Sequence, residues 1–199
     1  MKNVVIFGAS GHTGKYILKK ALQTPDLKVS AFVRTPAKLE DVELGDTNVI
    51  QGDALNADDV ARAMEGQDIL ICSLEGDVLT MAQNIVAALE KTSVKRILWI
   101  TGMGIHGEIT GLRGKMLGLL AKQRPEYIQA ADLIAASPAV TTLLRCPGIV
   151  NGDNEVYYLT PEGEQPRNKN IDRAGIAKCM MDLIADETLG VNDSLAITN

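Results

Sequence analysis

The chemistry most legible in this chain sits in seven residues near its start, Gly8-Ala9-Ser10-Gly11-His12-Thr13-Gly14. Glycines at this spacing suit the cradling of a phosphate group. The first permits a tight turn, the second lets the backbone approach a pyrophosphate, and the third lets a following helix pack close to the preceding strand. The side chains of Ser10, His12 and Thr13 place further donors in the same loop. The flanking residues supply the context that such a loop requires. Lys2-Asn3-Val4-Val5-Ile6-Phe7 is an apolar, β-branched run of strand character. Beyond the loop, Ile17, Leu18, Ala21 and Leu22 recur at helical spacing. A helix starting at the loop aims its unpaired N–H groups and the positive end of its dipole at an anion. The spacing is G-x-x-G-x-x-G rather than the commoner G-x-G-x-x-G, and the competing reading is a strand-to-helix turn with no ligand.

Positions beyond the loop also fit a dinucleotide. Arg34 ends the run Lys28-Val29-Ser30-Ala31-Phe32-Val33, about 20 residues past the last glycine, where such a fold presents its ribose-recognition residue. An acid there would take the 2′-hydroxyl of NAD, whereas an arginine fork suits a 2′-phosphate, so Arg34 favours NADP(H) over NAD(H). His12 adds to the same phosphate pocket. Asp53 follows Asn48-Val49-Ile50-Gln51 and Gly52, and its carboxylate can accept from an adenine amino group. A second glycine-rich stretch, Thr101-Gly102-Met103-Gly104-Ile105-His106-Gly107, offers catalytic candidates. Thr101 carries a hydroxyl able to polarise a carbonyl, and His106 carries a proton that titrates near neutrality. Each has a plainer competing reading: a surface arginine, a loop-turn aspartate, an exposed loop histidine.

The elements that must position these residues alternate. Asp68-Ile69-Leu70-Ile71-Cys72 and Arg96-Ile97-Leu98-Trp99-Ile100 read as central strands, and Thr141 to Cys146 as a sixth. Between them lie helices: Ala57 to Glu65 behind an Asn56 cap; a stripe of Val78, Ala82, Ile85, Val86 and Leu89 behind Asp77; and Glu126 to Ala136 after Pro125. Leu112 to Arg124 carries Leu112, Met116, Leu119 and Leu120 on one side and four cations, Arg113, Lys115, Lys122 and Arg124. That stretch reads as a solvated basic face, or as a flap attracting an anionic substrate. A membrane-surface helix is disfavoured by Gly111, Gly114 and Gly118. Val156 to Leu159 suggests a small extra strand. Asp172 caps a last helix with Ile176, Ala177, Met180, Met181 and Ile184 inward, and Ser194 to Thr198 closes the chain as a strand.

This alternation predicts an α/β fold, a doubly wound parallel sheet in three layers. It forms a single domain over 1–199 with a small substrate-side portion at about 147–170. Right-handed crossovers bring the glycine loop, Arg34, Asp53, Cys72 and Thr101 to one rim. Cys72 also reads as a small buried hydrophobe.

Composition narrows the classes. A net charge of −5 and 4% aromatic residues argue against a nucleic-acid partner. No run approaches a membrane span and the apolar start is too short for a signal peptide, so no membrane partner and a cytoplasmic location are expected. Three widely spaced cysteines and two histidines predict neither a disulfide framework nor a metal site.

Taken together, the glycine loop, Val33-Arg34-Thr35-Pro36 with Lys38-Leu39, Gly52-Asp53, Leu144-Arg145-Cys146-Pro147-Gly148 and Asp172-Arg173 resemble the atypical short-chain dehydrogenase/reductase superfamily. The branch they look most like is the NmrA-like, NAD(P)-binding group with its flavin reductase/biliverdin reductase type. The resemblance implies a Rossmann fold, with NADP at the glycine loop and Asp53 and Ala54 near the adenine. It also implies that Thr101 and Pro147-Gly148-Ile149 line the nicotinamide end. The chain departs from the superfamily at its proton-transfer pair, a tyrosine with a lysine four residues later: Tyr127 is followed there by Ala131. Two readings accommodate the loss. One is an NADPH-dependent reductase of a flavin, quinone or similar conjugated acceptor, which needs little help from a protein acid. The other is a non-catalytic NADP-binding redox sensor. An epimerase or dehydratase is poorly supported, because only about 50 residues follow Val150. A small-molecule acceptor and a monomer or homodimer complete the expectation.

Overall fold

The structure, a computed structural model, describes residues 1–107 and 109–199, apart from the side chains of Arg113, Leu117 and Leu120. The expectations for the Arg113 and Leu120 side chains therefore lie outside the described residues. The elements run β1 (Lys2–Phe7), α1 (His12–Leu22), β2 (Leu27–Val33), a 3-10 turn (Pro36–Leu39), β3 (Asn48–Gln51), α2 (Ala57–Met64), β4 (Ile69–Cys72), α3 (Val78–Leu89) and β5 (Arg96–Gly102). They continue as α4 (Gly111–Lys122), α5 (Pro125–Ala135), β6 (Val140–Cys146), β7 (Ile149–Val150), β8 (Tyr158–Pro161), β9 (Ile171–Asp172), α6 (Arg173–Ala185) and β10 (Asp193–Thr198).

Eight strands form one sheet in the order β3-β2-β1-β4-β5-β6-β10-β8. Every neighbouring pair is parallel except β10 and β8, which are antiparallel. The expected small strand thus lies two residues later than its apolar run suggested. Its pairing sets Tyr158 opposite Thr198 and Pro161 opposite Leu195, so a distant strand, not local pattern, sets its register.

The central strands are apolar throughout because both faces are covered. On β1, Val4 and Ile6 point to one side and join Ile17 and Leu18 of α1 and Met180 and Ile184 of α6. Val5 and Phe7 point to the other and join Val60 of α2, Ile85 of α3 and Ile134 of α5. Helices on both faces give the three layers. Asn56 and Asp77 cap α2 and α3 as expected, Asn56 by accepting from the Asp58 and Asp59 amides and Asp77 from that of Thr80. Asp172 stands at the start of α6, but its carboxylate accepts instead from Asn199 Nδ2 at 2.8 Å and the Asn154 amide at 3.2 Å. It ties the chain terminus and the segment after β7 to the helix rather than capping it.

The strand order reverses between β1, whose chain turns back toward β2, and β4 on its other side. In open parallel sheets the crevice at the carboxyl end of such a reversal is where ligands bind, since the two flanking loops diverge there.

Candidate functional site

At that reversal the glycine loop leaves β1. Gly8 has φ +78°, a conformation that a side chain disfavours, and a Cβ on it would lie 2.0 Å from the Ser73 carbonyl at the end of β4. A Cβ on Gly14 would lie 1.9 Å from the Gly8 carbonyl. Both positions therefore need glycine for close approach of backbone to backbone. The Gly11 amide donates to Gly8 O at 2.9 Å and closes the turn. Gly11 is the N-cap of α1, no side chain caps the helix, and its first turn holds no acid. Its leading N–H groups and the positive end of its dipole face the crevice.

The crevice is a cleft of about 210 Å³. Gly8, Ser10, Gly11, His12 and Thr13 form one wall. Phe32, Val33, Arg34 and Lys38, from β2 and the turn after it, form the second. Gly52, Asp53 and Ala54 follow β3, Ser73, Leu74 and Glu75 follow β4, and Met81 comes from α3. Arg34 and Lys38 are exposed at the rim, and no described carboxylate lies within ion-pairing distance of either. The backbone beneath Arg34 is fixed, since its carbonyl accepts from Gln51 Nε2 at 3.4 Å and the Val33 carbonyl from the Gly52 amide at 3.0 Å. Lys15 is engaged elsewhere. It pairs with Asp41 at 2.5 Å, and that hydrogen bond holds the Asp41 carboxyl below its ordinary range.

The floor is built from the β3 end. A Cβ on Gly52 would lie 2.5 Å from Cε2 of Phe32, so the phenyl ring lies against bare backbone. Asp53 is half-buried, and its Oδ1 accepts from the Leu55 amide at 3.0 Å. The Asp53 amide is itself held by Asp59 Oδ2 at 3.0 Å, and the Ala54 carbonyl by Asn84 Nδ2 at 3.0 Å.

Several expected site residues lie outside this cleft. Gly14 stands behind it, as the contact between α1 and the loop. Cys72 is buried and faces the core beside Val5 and Phe7; burial pushes its thiol up, and its neighbour Ser73 is the one that lines the cleft. Pro147, Gly148 and Ile149 lie on the same rim further along the sheet. There Ile149 pairs with Ile171, and a Cβ on Gly148 would lie 2.9 Å from Asn170 Oδ1. Thr101 is 5% exposed, sits opposite Arg145 in the β5–β6 ladder, and its hydroxyl has no hydrogen-bond partner among the described residues.

His106 does not face the cleft. Its Nε2 lies 2.9 Å from Asp132 Oδ1 on α5, and its Nδ1 lies 2.7 Å from Glu162 Oε1 just after β8. With an acid on each ring nitrogen, the imidazole ties three segments together. Burial lowers its pKa, but the hydrogen bonds and charges of Asp132 and Glu162 outweigh that and raise it above 6.5. The ring expected to face an acceptor is thus held in a clasp between two carboxylates. Tyr127 is likewise structural: its hydroxyl accepts from the Gly76 amide at 3.4 Å, and the Arg124 guanidinium lies 5.0 Å from its ring centre.

Residues 8–187 of the chain match the family described as NAD(P)H-binding. The chain belongs to that family. Among solved structures, this NAD(P)H-binding chain is similar to a Rossmann-fold NAD(P)-binding family protein from Shigella flexneri, with 29% identity, a TM-score of 0.83, and coverage of 100% of this chain and 94% of that one. It is also similar to a short-chain dehydrogenase/reductase from Veillonella parvula in complex with NADP, at 23% identity and TM-score 0.84 over 100% and 94% of the two chains. A third is an anaerobillin reductase from Escherichia coli O157:H7, at 19% identity and TM-score 0.80 over 99% and 97%. At these identities the last two show the fold, which is Rossmann-like.

The residues of the cleft fit a dinucleotide. Gly8 and Gly14 allow the close backbone contacts that shape the loop, no side chain caps α1, and two cations with no carboxylate at ion-pairing distance among the described residues stand where β2 ends. Phe32 and Ser73 to Glu75 join the site without having been singled out from the sequence, and Lys38, quoted there only for the family resemblance, joins it as well. Lys38 had one usable signal, a cation one short turn beyond Arg34.

Proposed function

We propose that the chain is an NADPH-dependent reductase that passes hydride to a flavin, quinone or similar conjugated small molecule, without the tyrosine–lysine pair typical of the short-chain dehydrogenase/reductase superfamily it resembles. The observation that carries the cofactor half is the unpaired couple Arg34 and Lys38 at the cleft rim. Two cations with no ion-pair partner among the described residues suit a 2′-phosphate, and exposed His12 lines the same cleft. The Ser10, Gly11 and Thr13 region and the α1 terminus would hold the pyrophosphate, and Asp53 with Ala54 the adenine.

The bound cofactor supplies the hydride. The chain's own residues position the acceptor and exclude water. In this reading Thr101 and Pro147-Gly148-Ile149 line the nicotinamide end, and the Thr101 hydroxyl is buried with no partner among the described residues. His106 enters as the tie that holds the glycine-rich loop over this end, its own proton shared between two carboxylates. Ala131 in place of the lysine supports an acceptor that stabilises added electrons through its own conjugation.

The test is NADPH oxidation by the purified chain with a panel of flavins and quinones set against simple ketones. Turnover with the conjugated acceptors and much less with ketones supports the proposal. NADPH binding without turnover on any acceptor refutes the reductase and leaves the redox-sensor reading.

A further inference from the structure

Helix α4 turns an apolar stripe outward. Among its described residues, Gly114 is buried and Gly118 and Ala121 are half-buried, while the large apolar Leu112, Met116 and Leu119 are exposed to 85%, 59% and 61%. Both sets follow i, i+4, i+7, so each forms a stripe on its own side of the helix. Gly114 has to be glycine, since a Cβ on it would lie 1.7 Å from the carbonyl of Ile109, five residues earlier in the chain.

The charges around the outer stripe have one sign. Lys115 and Lys122 are exposed and flank it, and Arg124 is exposed just past the helix end. Residues 109–125 contain no Asp or Glu, in a chain whose net charge is −5. An apolar stripe edged by lysines is what the boundary between headgroups and acyl chains accepts: the side chains enter the apolar layer and the ammonium groups stay among the phosphates.

We propose that α4 docks the protein on an anionic lipid surface, with Leu112, Met116 and Leu119 inserted and Lys115 and Lys122 on acidic headgroups. A second copy of this chain fits the face poorly, because pairing two such stripes about a two-fold axis would bring the lysines of one helix against those of the other. Lipid docking through α4 is independent of the cofactor reading. It is also compatible with the finding that no helix among the described residues is long and apolar enough to cross a membrane.

The test is flotation of the full chain with phosphatidylcholine vesicles, with and without phosphatidylglycerol, at low and high salt. Flotation only with the phosphatidylglycerol vesicles, and its loss at high salt, is expected. Lys115→Gln should weaken partitioning about fivefold, and addition of Lys122→Gln about fivefold again. Leu119→Ser, which keeps every charge, should weaken it about tenfold. Retained NADPH binding and an unchanged circular dichroism spectrum show that each variant is folded. No flotation of the wild-type chain with anionic vesicles at low salt overturns the proposal, as does flotation that the lysine and Leu119 variants leave unchanged. Self-association that Leu119→Ser abolishes, without vesicle binding, reassigns the face to a second copy.

Discussion

Replacing Arg34 with alanine tests the cofactor assignment at its most specific point. Arg34 is exposed at the rim of the cleft, one short turn before Lys38, and no described carboxylate pairs with it. Its removal therefore breaks no ion pair among the described residues, and an exposed substitution of this kind shifts stability by only about 0.5 kcal/mol or less. The loss should appear in binding alone. A charge-assisted hydrogen bond to a phosphate contributes roughly 1.5–3 kcal/mol, which corresponds to about 10- to 150-fold in affinity. The lower end is expected here, because both cations are wetted and screened by salt. Fluorescence titration should show NADPH binding weakened by about tenfold and NADH binding changed by less than about twofold. Lys38→Ala should behave alike, and the double variant should lose less than the sum if both cations meet one phosphate. Equal weakening of NADPH and NADH refutes the 2′-phosphate assignment, and so does an unchanged NADPH affinity.

Three further outcomes follow from the same geometry. Gly14→Ala should destabilise the fold by about 3 kcal/mol or more, because its Cβ would lie 1.9 Å from a backbone carbonyl. Gly118→Ala meets nothing within 4 Å and should be neutral or stabilising by up to about 1 kcal/mol; thermal melts of the two variants check the contrast. The His106 clasp sets a pH dependence. Its folded pKa is raised above 6.5, so the stabilisation it gives is complete below that value and declines as pH rises through the folded pKa. The difference in melting temperature between wild type and His106→Ala should be largest in mildly acidic buffer and shrink toward alkaline pH, and a difference that grows with pH contradicts the charged clasp between Asp132 and Glu162. Finally, Tyr127→Phe removes one long hydrogen bond to the Gly76 amide, so stability should fall by less than about 1 kcal/mol and kcat by less than about twofold. A loss of about a hundredfold in kcat would place Tyr127 in the chemistry instead.

What the sequence disclosed follows from which interactions are local. The β1–loop–α1 unit was legible because its requirements are contiguous: an apolar strand, glycines where backbones touch, and a helix with an apolar stripe. The parallel sheet was legible because strands buried on both faces read as continuous apolar runs. Position along a strand is a weaker guide to where its last side chains point. Cys72 and Ser73 are neighbours at the end of β4, yet alternation sends the first into the core with Phe7 and leaves the second in the cleft, its carbonyl against Gly8. His106 was placed on the right rim, but its partners Asp132 and Glu162 lie 26 and 56 residues away, and nothing near it in the chain announces them. The β8 register was set by β10 in the same way. Helix α4 shows a different limit. Its apolar stripe was visible from spacing alone, and an apolar stripe ordinarily marks the face turned to the core. Here Gly114 is buried against the Ile109 carbonyl while Leu112, Met116 and Leu119 are exposed, so the stripe that spacing picks out is the one turned outward. Hydrophobic periodicity identifies a helix with two unlike faces; only the tertiary contacts decide which of them is left for a partner.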